Sequence, residues 1–170
     1  MATMQTSAGP GFAWWAKQGA IAGVIAGIVF ALFEMIMAAA LKDAFFGPLR
    51  MISGIALGKE ALQPSYGLAT AVSVGIIVHM IDAIVFGVIF GLIVAAVPML
   101  ARSTATLVGA ASVYGLVLWL VNFYLIAPVV GWNWFPTMTN PVVQFFAHTF
   151  FFGTVLGYYL NRALTPQRAR

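Results

Sequence analysis

Two acids, two histidines and two amides sit in company that does not suit them. Glu34, His79, Asp82, Asn122, Gln144 and His148 all fall inside or at the edge of long apolar stretches. A charged side chain at the centre of a membrane helix costs about 2.5–3.5 kcal/mol on insertion scales, so such residues face a bundle interior and carry function by default. Carboxylate and imidazole together suit a transition metal such as Zn, Fe, Mn or Cu, with Glu34, His79, Asp82 and His148 as its ligands. Met35, Met37 and Met80 flank them; thioethers favour Cu(I), although methionine more often fills gaps between helices. Two histidines on separate helices also meet the needs of a bis-histidine haem b, against which the neighbouring carboxylates count. A chain of Glu, Asp and His can pass protons or cations. The fourth reading is structural: a hydrogen-bond network that fixes helix register and binds nothing. There is no HExxH or other diagnostic metal spacing to decide between them.

Their spacing places these residues on inward faces. Glu34 lies seven residues after Gly27 and Asn122 seven after Gly115, a step that returns to nearly the same face of a helix. His79 falls four residues from both Gly75 and Ala83, on a stripe of small residues, and Asp82 is three residues on, within reach of it. His148 follows Gln144 by four, giving one helix a polar edge. Counted from the ends of their stretches, residues from all the apolar segments converge on one layer in the same half of the bundle. An isolated carboxylate there is unfavourable, so Glu34 is expected to pair with, or share a proton with, one of the histidines.

The elements that must position this layer are membrane helices. Of 170 residues, 62% are apolar and 7% charged, far from the balance of a soluble domain. The chain reads as an all-α integral membrane protein with one membrane domain over 1–170. Its bundle has four transmembrane helices, at about 18–41, 70–98, 106–127 and 142–160. Each reaches the roughly 20 apolar residues that a bilayer demands. Segment 48–62 is too short to span and reads as a short amphipathic helix lying in the interface, or else as a re-entrant segment. The connection Gly131-Trp132-Asn133-Trp134-Phe135-Pro136 is aromatic and is expected to rest on the membrane surface. Trp14, Trp15, Tyr158 and Tyr159 fit an inner aromatic belt. Lys17, Arg102, Arg162, Arg168 and Arg170 outnumber Lys42, Arg50 and Lys59, which places both termini inside a bacterial-type cytoplasmic membrane.

Helices in lipid associate by close backbone approach. Gly19, Gly23 and Gly27, then Gly75, Gly87 and Gly91, then Gly115, then Gly153 and Gly157 supply the faces for it. Gly27 to Glu34 matches Gly115 to Asn122 in spacing, and Phe86–Gly91 resembles Phe152–Gly157, each following a histidine. A duplicated helical hairpin would leave this pattern, and so would chance among glycine-rich helices. Ser73 and Ser112 are expected to bond back to their own helices.

The eight Lys and Arg form no basic stripe, which excludes nucleic acid. There is no Cys, so disulfides and Fe–S clusters are excluded too. With no nucleophile–base pair, phosphate loop or nucleotide fingerprint, the balance is against an enzyme. Two functions remain. One is a small membrane protein whose Glu34/His79/Asp82/Asn122/Gln144/His148 cluster binds a cation, metal or proton. The other is an accessory subunit of a larger membrane complex, with the cluster purely structural. The partners expected are the bilayer and either further copies of the chain or such a complex.

Overall fold

The computed structural model describes residues 10–168, and these are helical with no strand among them. Helix α1 (Phe12–Ala40) is followed by a short α2 (Gly47–Leu57), a 3-10 turn (Lys59–Leu62) and α3 (Leu68–Ala96). After a second 3-10 turn (Pro98–Ala101), α4 (Thr104–Val121) runs on through a π-helical stretch (Asn122–Ile126) into a closing turn (Ala127–Val129). A short α5 (Trp134–Met138) leads to the last helical run, made of α6 (Pro141–Phe146), a π-helical stretch (Ala147–Thr154) and α7 (Val155–Arg168). Three helices, Phe12–Ala40, Leu68–Ala96 and Thr104–Val129, are long and apolar enough to cross a membrane, consistent with a membrane location. The fourth expected span falls within the divided run that begins at Pro141.

The ends of the helices follow local chemistry. Ser103 Oγ accepts the Thr106 amide to start α4, and Asn140 Oδ1 accepts the Val142 and Val143 amides to start α6, with Pro141 at the first helical position. At the end of α1 the Asp43 amide reaches Ala38 O and the Lys42 amide reaches Ala39 O, a Schellman closure in which Lys42 takes the left-handed position at φ 65°. Pro128 lacks the amide that would pair with the carbonyl four residues back, and the π-helical stretch before it absorbs the mismatch; the Ala127 amide reaches back five residues to Asn122 O. The last run continues past residue 160 and carries Pro166 inside α7, so that proline does not mark a connection.

Packing is by backbone contact. A Cβ on Gly87 would strike the carbonyl of Gly19 and the backbone of Gly23, and one on Gly91 would strike the carbonyl of Trp15. Thus α1 and α3 touch along Trp15–Gly27 and His79–Gly91. Trp15 is buried at this crossing, and Trp14 is half-buried and packs against the core. The same arrangement recurs between α4 and the last run, where Gly153 meets the carbonyl of Ala111, and Gly157 meets Leu107 and Ala111. The register differs from the sequence expectation. Gly115 meets the carbonyl of His148 and Gly153 Cα, as Gly23 meets the carbonyl of Ala83 and Gly87 Cα. Gly115 therefore does the work of Gly23, one turn from Gly27. The step from Ala83 to Gly87 is four residues and that from His148 to Gly153 is five. The π-helical stretch holds the extra residue, so His148 stands where Ala83 does, not where His79 does. The other two contacts close a ring: the Tyr114 hydroxyl donates to Phe86 O at 2.9 Å, joining α4 to α3, and Phe33 stacks on Phe151 at 3.8 Å, joining α1 to the last run.

Beyond His79, α3 changes partner. A Cβ on Gly75 would collide with the carbonyl of Leu49, so the small-residue stripe here receives α2 instead of α1. Leu49, Ser53 and Gly54 are buried, and Met51, Ile52 and Ile55 pack on Trp119, Phe123 and Phe135. The apolar face of α2 is turned onto the protein. The aromatic connection also contributes to the packing: Phe135 is buried and Trp134 packs beside Gly54. Arg50 fastens the assembly by donating from Nη1 to the carbonyls of Ala61, Gln63 and Tyr66. Ser112 bonds back to Val108 O as expected, at 2.9 Å; Ser73 is exposed and makes no such bond. Arg170, counted among the inner cations, lies outside the described residues.

Candidate functional site

The polar residues singled out above meet around one cavity of about 190 Å³. α1 brings Glu34, α3 brings His79 and Asp82, the π-helical continuation of α4 brings Asn122, α6 brings Gln144, and the second π-helical stretch brings His148. The rest of the wall is apolar and mainly aromatic. Phe30, Phe86, Phe123 and Phe152 form its sides, and Met51, Ile52, Ile55, Trp132 and Phe135 cover it.

Each polar side chain is held by a specific bond. Gln144 Nε2 lies 3.0 Å from both Oε1 and Oε2 of Glu34. A carboxylate oxygen can only accept from an amide, which fixes the Gln144 orientation with its nitrogen toward Glu34. His79 Nε2 donates to Gly27 O at 2.8 Å, and His148 Nδ1 donates to Gln144 O at 3.0 Å. Because a backbone carbonyl has no proton to give, these nitrogens carry the hydrogens, leaving His79 Nδ1 and His148 Nε2 as acceptors. Asn122 Nδ2 donates to Leu118 O at 2.8 Å, a local bond that competes with the helix ladder at the point where the π-helical stretch begins. Asp82 has no hydrogen-bond or ion-pair partner among the described residues.

Glu34 is thus paired, but with Gln144 and not with a histidine. The Phe30 ring sits against both imidazoles, 5.4 Å from His79 and 4.8 Å from His148 between centroids, and Phe123 closes on His148 at 5.4 Å. Each imidazole gives its hydrogen bond to a backbone carbonyl instead of to Glu34. Among the described residues no three or more His, Cys, Asp or Glu are grouped as a metal-ion site. The cavity also falls short of the roughly 300 Å³ at which drug-sized ligand sites begin, and a haem is larger than such ligands.

Sequence reasoning missed Phe30, although its place four residues before Glu34 puts it on the same face. It missed the roof as well, because nothing in a short apolar helix says whether lipid or protein will cover it. A second cavity of about 230 Å³ adjoins the first. It is lined by Asp43, Met138, Thr139 and Asn140 at the end where α1 stops and α6 starts, and it shares Glu34, Pro48, Met51 and Gln144 with the first. Compared with known proteins, the chain matches no family model, no curated protein and no solved structure.

Proposed function

We propose that this chain is a four-span integral membrane protein of a bacterial-type cytoplasmic membrane, with both termini inside, and that its buried cavity binds a cation or carries a proton. The last helical run supplies the fourth span: it packs along α4 through Gly153 and Gly157 and along α1 through Phe151. Lys17, Arg102 and Arg162 are exposed at one end and Lys42 and Lys59 at the other, which supports the orientation. Self-association, or docking on a larger membrane complex, belongs to the same proposal; the exposed apolar faces of α1 and α3 leave room for either beside lipid.

One observation carries the reading. Two carboxylates line a single cavity, and no cationic side chain pairs with either among the described residues. Ionised groups at this depth are costly unless a counter-charge or a proton arrives. The test is reconstitution into liposomes with a pH-sensitive dye inside, together with equilibrium cation binding to the purified protein. Wild type should show saturable cation binding or proton movement, and a Glu34→Gln/Asp82→Asn double variant should show neither. Absence of both in wild type overturns the proposal.

The structural reading has its own support in the Glu34–Gln144 contact, which ties α1 to α6 as a register lock would. Under it, the double variant loses stability and no binding is seen at any cation concentration.

A further inference from the structure

The polar residues around the first cavity share a property that their identities alone do not reveal. Their donors are turned away from it or already engaged. Gln144 gives its amide to Glu34, Asn122 gives its amide to Leu118 O, and each histidine gives its N–H to a backbone carbonyl. What these side chains leave for an occupant is acceptors, namely carboxylate oxygens, two imidazole nitrogens and the Asn122 carbonyl, while the Trp132 indole adds one N–H to the wall. Asp82 is the one whose carboxylate is engaged by nothing among the described residues.

Around these acceptors the wall is aromatic. A bare proton would leave that wall unused. A metal ion would need convergent ligands, and none are grouped so among the described residues. An anion would meet two carboxylates, and a neutral apolar molecule would leave Asp82 uncompensated. A positively charged donor with an apolar body uses both parts, because N–H groups meet the acceptors while aromatic faces attract the charge. Size limits the body. An apolar cavity of about 150 Å³ holds one benzene, so about 190 Å³ admits one ring and little more.

Resting on the reading of this cavity as a cation site, the geometry points to a small organic ammonium ion with an apolar body of one ring as its occupant, its N–H groups on Asp82 and its body among Phe30, Phe86 and Phe123. The acids are placed consistently with a cation: Asp43 lines the second cavity, Glu34 lines both and Asp82 lines the first, so three of the four acids in the chain border these two neighbouring cavities.

The test is a binding titration of the purified full chain in detergent with benzylammonium, benzyl alcohol, Na⁺ and Mn²⁺, read by tryptophan emission and thermal shift. Trp132 lines the cavity and reports on it. Benzylammonium should saturate and bind at least tenfold tighter than benzyl alcohol. Asp82→Asn should weaken benzylammonium at least tenfold and leave benzyl alcohol unchanged. If Na⁺ or Mn²⁺ saturates while benzylammonium does not, the ammonium inference falls and the cation site stands. If benzyl alcohol binds as well as benzylammonium, or if no probe binds, the ammonium inference falls, and the liposome and cation-binding measurements described above decide the cation-site reading on their own. Should the Asp82 variant fail to fold, the wild-type comparison of the two benzyl compounds decides alone.

Discussion

Gln144 holds Glu34 by both carboxylate oxygens with one nitrogen, across 110 residues of chain. This contact joins the first helix to the last helical run, and both residues line each of two neighbouring cavities. Hydrogen bonds between membrane helices average about 0.6 kcal/mol and reach about 1.7. The Glu34–Gln144 coupling should lie at the upper end, about 1–2 kcal/mol, because both oxygens are engaged. A double-mutant cycle with Glu34→Gln and Gln144→Leu, followed by unfolding in detergent, measures it. Gln144→Leu should cost more than Glu34→Gln, since it strands a buried carboxylate while the other change keeps an amide that can still bond. Additive effects of the two changes would show that the contact contributes nothing.

The crossing of α1 and α3 makes a second prediction. Gly87→Leu would push its side chain into the Gly19 carbonyl and the Gly23 backbone, atoms that cannot move aside without parting the helices. Overpacking typically costs about 1–3 kcal/mol, and a backbone-to-backbone contact belongs at the top of that range or above it. Leu92 on the same helix is exposed, so Leu92→Phe should leave the melting temperature within a degree or two of wild type. Equal tolerance of the two would show that the helices do not meet there.

Lys42 offers a change in the opposite direction. It holds φ 65° at the end of α1, a conformation that costs an L-residue with a Cβ about 1–2 kcal/mol and glycine almost nothing. Lys42→Gly should therefore stabilise the protein by about 1 kcal/mol, seen as a higher unfolding midpoint. A loss of stability would mean that the Lys42 side chain contributes more than its backbone costs.

Orientation can be read by labelling, since the chain has no cysteine of its own. Asn133 and Thr165 are both exposed, near opposite ends of the helices. Asn133→Cys should react with an impermeant maleimide in intact cells, and Thr165→Cys only after permeabilisation. The reverse pattern inverts the topology.

The apolar runs and the polar layer were legible because hydropathy and helical period are local properties. Glu34, His79 and Asn122 could be assigned inward faces from their spacing to nearby small residues, Asp82 from its step to His79, and Gln144 and His148 from their step to each other. How distant segments register against one another is not local. Gly115 looked equivalent to Gly27 because each precedes a polar residue by seven, yet contact pairs it with the role of Gly23. His148 looked equivalent to His79, and the extra residue in the π-helical stretch moved it. No residue type in Ala147–Thr154 announces that insertion. The faces of α2 and of Trp134–Met138 were read as apolar, which they are, but apolarity does not name the neighbour. Phe30 escaped notice for the same reason: an aromatic ring among aliphatic residues carries no sign that it will pack on two imidazoles.

The glycine crossings have a mechanical consequence. Along Trp15–Gly27 and His79–Gly91 the backbones touch and leave no void, whereas past Gly27 the small residues give way to Phe30 and Glu34, and α3 turns to α2. The two helices work as a pair of tongs, pinned at the glycines, with the cavity between the jaws. A methyl group added at the pin, as in Gly87→Ala, would therefore be felt as a change of gape at Asp82 and Glu34, residues it never touches.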